Sequence, residues 1–254
     1  MEPWKSAANR FLAECPFRSE IEVVYLTGSY AHGMADQYSD IDLYIILNDA
    51  VDWRERGNRN VDGFIIEYFA NPFRQVKQYI ETQHIDGNQI TINMILDSIV
   101  ILDANASADT LREYCLQKLA EPFPELDEAS KGVKLYAIWD RFNELERSYH
   151  NNSPDFNVQY DQFGIDVIYT YARFLKAPLP PYYHLYRWLT DGQYHQSFSL
   201  PLFSDAHFLQ LMIRFFTLIG LAERFCLAEE MKTYVMEKMQ GFDINQYVFR
   251  SPCV

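Results

Sequence analysis

The sequence predicts an α+β chain: a mixed β-sheet flanked by helices in the first half, then an all-helical bundle. Three observations carry this. Four runs of strand length, rich in β-branched and aromatic residues, lie at 21–26, 40–47, 64–69 and 98–103, with helical stretches between them. Beyond residue 103 the apolar spacing turns helical, and the strand signal vanishes apart from a weak Tyr247-Val248-Phe249. Pro122 and Pro124 mark the change. The expected division is a first domain over 1–122 and a helical domain over 123–254.

The elements follow in order. Trp4, Ala8, Phe11, Leu12 and Cys15 recur at helical spacing, and Pro16 stops that helix. Ile21–Leu26 is a β-branched strand ending at Gly28, and a short helix is expected over 29–36 with Ser29 near its start. Asp40–Leu47 alternates and then becomes wholly apolar, as a central strand does. Residues 52–60 are charged and carry Gly57 and Asn58, which reads as a loop or exposed edge before the strand Phe64–Phe69. Asn71-Pro72 reads as a helix start, with Asn as cap and Pro in the first turn. Helices are expected to about 82, at 88–96 and at 107–120, with Asp97 and Asp103 as caps around the fourth strand. The second half reads as helices over 126–150, 160–176, 183–190, 204–226 and 228–240.

Composition narrows the function classes. The chain of 254 residues is 48% hydrophobic, enough for a sizeable core. Its net charge of −13 repels phosphate backbones, which makes a nucleic-acid partner unfavourable and suits neutral or cationic ones. Cys15, Cys115, Cys226 and Cys253 form no CxxC pair, against zinc or thioredoxin-type chemistry and in favour of small hydrophobes in a reducing compartment. No cationic flank precedes an apolar run at the N-terminus, and no apolar run approaches the ~18–20 residues of a membrane span. The expectation is a cytoplasmic protein.

The chemistry concentrates in Thr27-Gly28-Ser29-Tyr30-Ala31-His32-Gly33 and the following Ser39-Asp40-Ile41-Asp42-Leu43. In a strand, Asp40 and Asp42 project to the same side while Ile41 and Leu43 face the other. Two carboxylates so close repel unless a cation lies between them, and Mg²⁺ with its preference for hard oxygen ligands fits. Gly28-Ser29 stands where a strand turns into a helix, so backbone N–H groups and the Ser29 hydroxyl can face a phosphate. Gly28 and Gly33 have P-loop spacing, but Met34-Ala35 occupy the positions of the required Lys-Ser/Thr, which excludes a P-loop.

Gly-Ser, an intervening Gly and then Ser-Asp-Ile-Asp-Leu resembles the signature of the nucleotidyltransferase superfamily related to DNA polymerase β. The likeness is close over 27–43 and looser to about 103. It implies a nucleotidyltransferase fold in the first domain, with Gly28, Ser29 and Ser39 at the nucleotide, ATP or another NTP. It also implies Asp40 and Asp42 as ligands of two Mg²⁺ ions and a third carboxylate from a neighbouring strand. Glu67 is the candidate: in the apolar run Phe64–Phe69 an unpartnered Glu is costly. Glu67 as a metal ligand competes with Glu67 at an exposed edge, or paired with Arg54, Arg56 or Arg59; Asp62 is a rival, beside Gly63 in a turn.

A helical half behind such a domain resembles, in layout, the antibiotic nucleotidyltransferases acting on aminoglycosides or lincosamides. The implied reaction is transfer of AMP to a hydroxyl of a small molecule, with release of pyrophosphate and antibiotic resistance as the outcome. AMP transfer to a protein or RNA acceptor, of the toxin–antitoxin kind, and an inactive nucleotide-binding regulator are the alternatives. In the helical half, Asp140 with Glu144, Lys131 with Lys134, and Tyr182–Trp188 with His184 can each be read as acceptor or phosphate contacts, or as ordinary helix surface and packing.

Overall fold

A computed structural model describes residues 2–197 and 199–250. The chain divides into two compact units, one of residues 1–122 with 196–199 and one of residues 123–195 with 200–254. The weak strand signal at 247–249 gives no strand. Among the described residues no helix is long and apolar enough to cross a membrane.

The first unit is a five-stranded mixed sheet between two helical layers. Its strands are β1 (Ile21–Thr27), β2 (Ile41–Leu47), β3 (Glu55–Val61), β4 (Phe64–Pro72) and β5 (Ile99–Asp103), in the order β3-β4-β2-β1-β5. β1 is antiparallel to β2 and β5, β2 is parallel to β4, and β3 and β4 form a hairpin. Helix α1 (Pro3–Glu14) begins with Pro3 in its first turn and packs Phe11 and Leu12 with Leu26, Leu43, Ile45 and Ile66. On the other face Val23, Tyr25, Tyr44 and Ile46 meet Val76 and Ile80 of α3 (Phe73–Ile85), Ile92 of α4 (Ile90–Leu96) and Leu111 of α5 (Ser107–Ala120). β2 is buried on both faces, which explains its continuous apolar run.

Of the local expectations, one is decided between its alternatives and two shift. The polar stretch 52–60 is an exposed edge rather than a loop: it contains β3, because Asp62 and Gly63, both at positive φ, close a two-residue turn that brings Val61 opposite Phe64. The helix expected to start at Asn71-Pro72 starts at Phe73, with Pro72 rather than Asn71 at the N-cap position: pairing with Ile46 and Leu47 extends β4 through Pro72, and Asn71 is buried. The short helix after β1 is only α2, Gly28–Ala31. Asp103 does cap α5, accepting the Ser107 N–H at 2.9 Å, and Asp97 is the C-cap residue of α4, its carboxylate accepting the Ser199 N–H at 3.2 Å.

In the second unit α6 (Glu128–His150), α7 (Phe156–Phe174) and α11 (Leu221–Met239) pack together, with α10 (Ala206–Thr217) against α11 and against α8 (Tyr182–Thr190). The short α9 spans Gly192–Gln196. The expected single helix over 204–226 is two. The chain leaves the helix at Leu218, whose carbonyl accepts from Arg224 Nε at 2.9 Å, and re-enters it after Gly220. Gly164 allows α7 to meet α10: a β-carbon there would stand 2.0 Å from Phe215 Cε2. Asp205 caps α10 through the Phe208 N–H at 3.0 Å and accepts the Tyr171 and Tyr234 hydroxyls at 2.6 and 2.8 Å. Cys15 and Cys115 are buried and Cys226 is exposed; Cys253 lies outside the described residues.

Candidate active site

The sheet register assembles the site. Thr27 of β1 pairs with Asp42 of β2, Asp42 with Glu67 of β4, and Glu67 with Asn58 of β3. Residues directly opposite share a face, so this row crosses four strands on one side of the sheet. The next row on that face is Tyr25, Tyr44, Phe69 and Arg56. Tyr44 lies under the helices, and two residues earlier Asp42 emerges beyond them at the strand end.

Ligand atoms of Asp40, Asp42 and Glu67 lie within 4.8 Å of one another, and Asp42 and Glu67 are half-buried. Burial, with the charges of Asp40 and then Glu67, pushes the Asp42 carboxyl up to about 7. Three converging carboxylates, one strained toward its neutral form, make an all-oxygen donor set that a hard divalent cation relieves; the residues fit Mg²⁺ or Mn²⁺.

Gly28 stands at φ +65°, and a β-carbon on it would lie 2.0 Å from Asp42 Oδ2. The backbone entering α2 is therefore packed against the carboxylate. The Ser29 carbonyl accepts from the Met34 N–H at 2.9 Å, closing the turn. Ser39 is placed differently from Ser29. Its hydroxyl accepts the Asp36 N–H at 2.9 Å and donates to Asp36 Oδ1 at 3.1 Å, which holds the loop that delivers Asp40.

The rival pairing of Glu67 is present: its Oε1 accepts from Arg56 Nη2 at 2.8 Å, while the carboxylate also lies beside the two aspartates. Asp62 is not part of the group: it pairs with Arg10 at 2.7 Å. In the helical unit Glu144 pairs with Arg147 at 3.1 Å and Lys131 with Glu128 at 2.8 Å, as helix-surface charges do. Leu185 and Trp188 are core, while Tyr182, Tyr183 and Tyr186 are exposed. Arg56 was one of three arginines that sequence offered as partners of Glu67, and Asn58 was not singled out, because their strand is polar; the Asp62-Gly63 turn was the available signal for the hairpin.

Residues 8–88, from α1 through the end of α3, match the nucleotidyltransferase domain family. The likeness is to a nucleotidyltransferase domain and is confined to that stretch of the chain. No curated protein sequence matches. The chain is similar to the crystal structure of a nucleotidyltransferase-like protein from Exiguobacterium sibiricum 255-15, with a TM-score of 0.45 and 9% identity over 92% of this chain and 73% of that one.

Proposed function

We propose that the chain moves a nucleoside monophosphate, AMP from ATP in the first instance, onto a hydroxyl of a small molecule. The observation that carries this is the convergence of Asp40, Asp42 and Glu67 beside the Gly28 backbone. Asp40, Asp42 and Glu67 would hold two Mg²⁺ ions; bound there, such ions neutralise phosphate charge and favour in-line displacement. Gly28 and Ser29 receive the triphosphate on the β1 side, with Ser39 fixing the approach to Asp40. The acceptor oxygen forms its bond to the α-phosphorus, the bond to the bridging oxygen breaks, and pyrophosphate leaves. Glu67 would take the hydroxyl proton.

In this reading residues 1–122 are the catalytic domain, and the helical remainder, 123–254, binds the acceptor. The net charge of −13 favours an amine-bearing acceptor, which puts aminoglycosides and lincosamides first among those to try, with antibiotic resistance as the role and the cytoplasm as the place where ATP is supplied. The test is transfer of label from α-³²P-ATP to an acceptor panel with Mg²⁺. Labelled product and pyrophosphate from wild type, and none from Asp42→Asn, are expected. Tight Mg-ATP binding without turnover on any acceptor would favour a nucleotide-binding regulator instead.

A further inference from the structure

Glu67 is the flanking member of the carboxylate group. Asp42 is on β2 and Asp40 immediately precedes that strand; Glu67 comes from β4, on a longer side chain with more rotamers to lose on ordering. Repulsion from two aspartates drives such a side chain away from them. Among the described residues, Arg56 is the cation that opposes this. Its Nη2 donates to Glu67 Oε1 at 2.8 Å, and its guanidinium carbon lies 4.3 Å from the centroid of the Phe69 ring. Phe69 is two residues along β4 from Glu67 and register partner of Arg56. The guanidinium is thus fixed by a ring beneath it, a carboxylate beside it and the β3–β4 ladder behind it.

We propose that Arg56 is a positioning residue. It holds Glu67 against Phe69 and the β3 edge so that the carboxylate faces Asp40 and Asp42 as the third ligand for a divalent cation. This rests on the metal-site reading of the previous subsection. Two effects of opposite sign meet in Arg56. Its charge repels an incoming cation, and its hydrogen bond preorganises a ligand for one. The Arg56 side chain is 68% exposed, so the repulsion is screened by solvent, whereas the ordering of Glu67 acts at contact distance. Preorganisation wins, as hydrogen-bond partners behind metal ligands generally raise affinity.

The probe is Mn²⁺ alone, titrated calorimetrically into the full chain without nucleotide. Wild type is expected to bind and Asp42→Asn to lose binding. Arg56→Ala should weaken Mn²⁺ about tenfold. Arg56→Met, which keeps the stem over Phe69 and removes only the donors, should do the same, so that a folding defect in one variant does not decide the matter. In a Glu67→Gln background the Arg56 substitutions should have no further effect, an outcome that a merely structural role would not produce. Unchanged or tighter Mn²⁺ binding in both Arg56 variants overturns the proposal, as does an equal loss with and without Glu67. Mn²⁺ binding lost in Asp42→Asn but untouched by Arg56 sinks this inference alone. A wild type that binds no Mn²⁺ sinks the metal site with it.

Discussion

Gly28 and Asp42 are fitted so closely that any side chain at 28 would occupy the space of the Asp42 carboxylate: its β-carbon would stand 2.0 Å from Oδ2. The same glycine holds φ at +65°, a conformation that costs other residues strain. Gly28→Ala is therefore expected to displace Asp42. Stability should fall by about 1–3 kcal/mol and nucleotidyl transfer by ~100-fold or more, read by thermal unfolding and labelled-product formation.

Asp42 also sets a pH dependence. Its folded carboxyl titrates near 7, above the ~3.9 of an unfolded Asp, so the folded state binds the extra proton between those values. Without divalent cations, stability is fully present below the unfolded value and declines as pH rises to about 7. Asp42→Asn removes that slope and should match or exceed wild type at pH 8 in EDTA. Melting temperatures across this range check the sign; a wild-type Tm that climbs with pH more steeply than that of the variant would refute it.

Adding Mg²⁺ should reverse the loss. A cation at 100 times its Kd stabilises the folded state by about 2.7 kcal/mol. The Tm increment on Mg²⁺ addition at pH 8 is expected in wild type and not in Asp42→Asn, and EDTA should abolish both the increment and transfer.

Gly164 has a packing role only. A methyl group there meets the Phe215 ring, with Cε2 at 2.0 Å, so the ring or the helices carrying it must shift to admit it. Gly164→Ala should cost about 1–3 kcal/mol, measured by denaturant unfolding.

Asp205 ties together a helix cap and two tyrosines. Burial alone raises its carboxyl, and the Phe208 N–H with the Tyr171 and Tyr234 hydroxyls outweigh that, leaving it below the usual carboxylate range. The stabilisation is present above the unfolded pKa and is lost as pH falls through the folded one. Asp205→Ala should cost about 1–2 kcal/mol at pH 7, and less under acid, in equilibrium unfolding.

The sequence by itself determined the α+β class, the central strand and the pair Asp40–Asp42, because strand periodicity and the Gly-Ser turn are local properties of consecutive residues. It also made Glu67 the candidate third carboxylate, with an exposed edge or an arginine pair as the rival readings. Only the tertiary structure put the Arg56 pair and the two aspartates on the same side chain. Parallel pairing of β2 with β4 puts Glu67 level with Asp42, and a hairpin invisible in composition carries Arg56 to its other side. Register between strands distant in sequence is a pairing property, so no single segment encodes it. The same holds for Gly28. Its φ suits a turn that sequence can suggest, but its necessity arises from the Asp42 carboxylate packed against it across the β1–β2 pair.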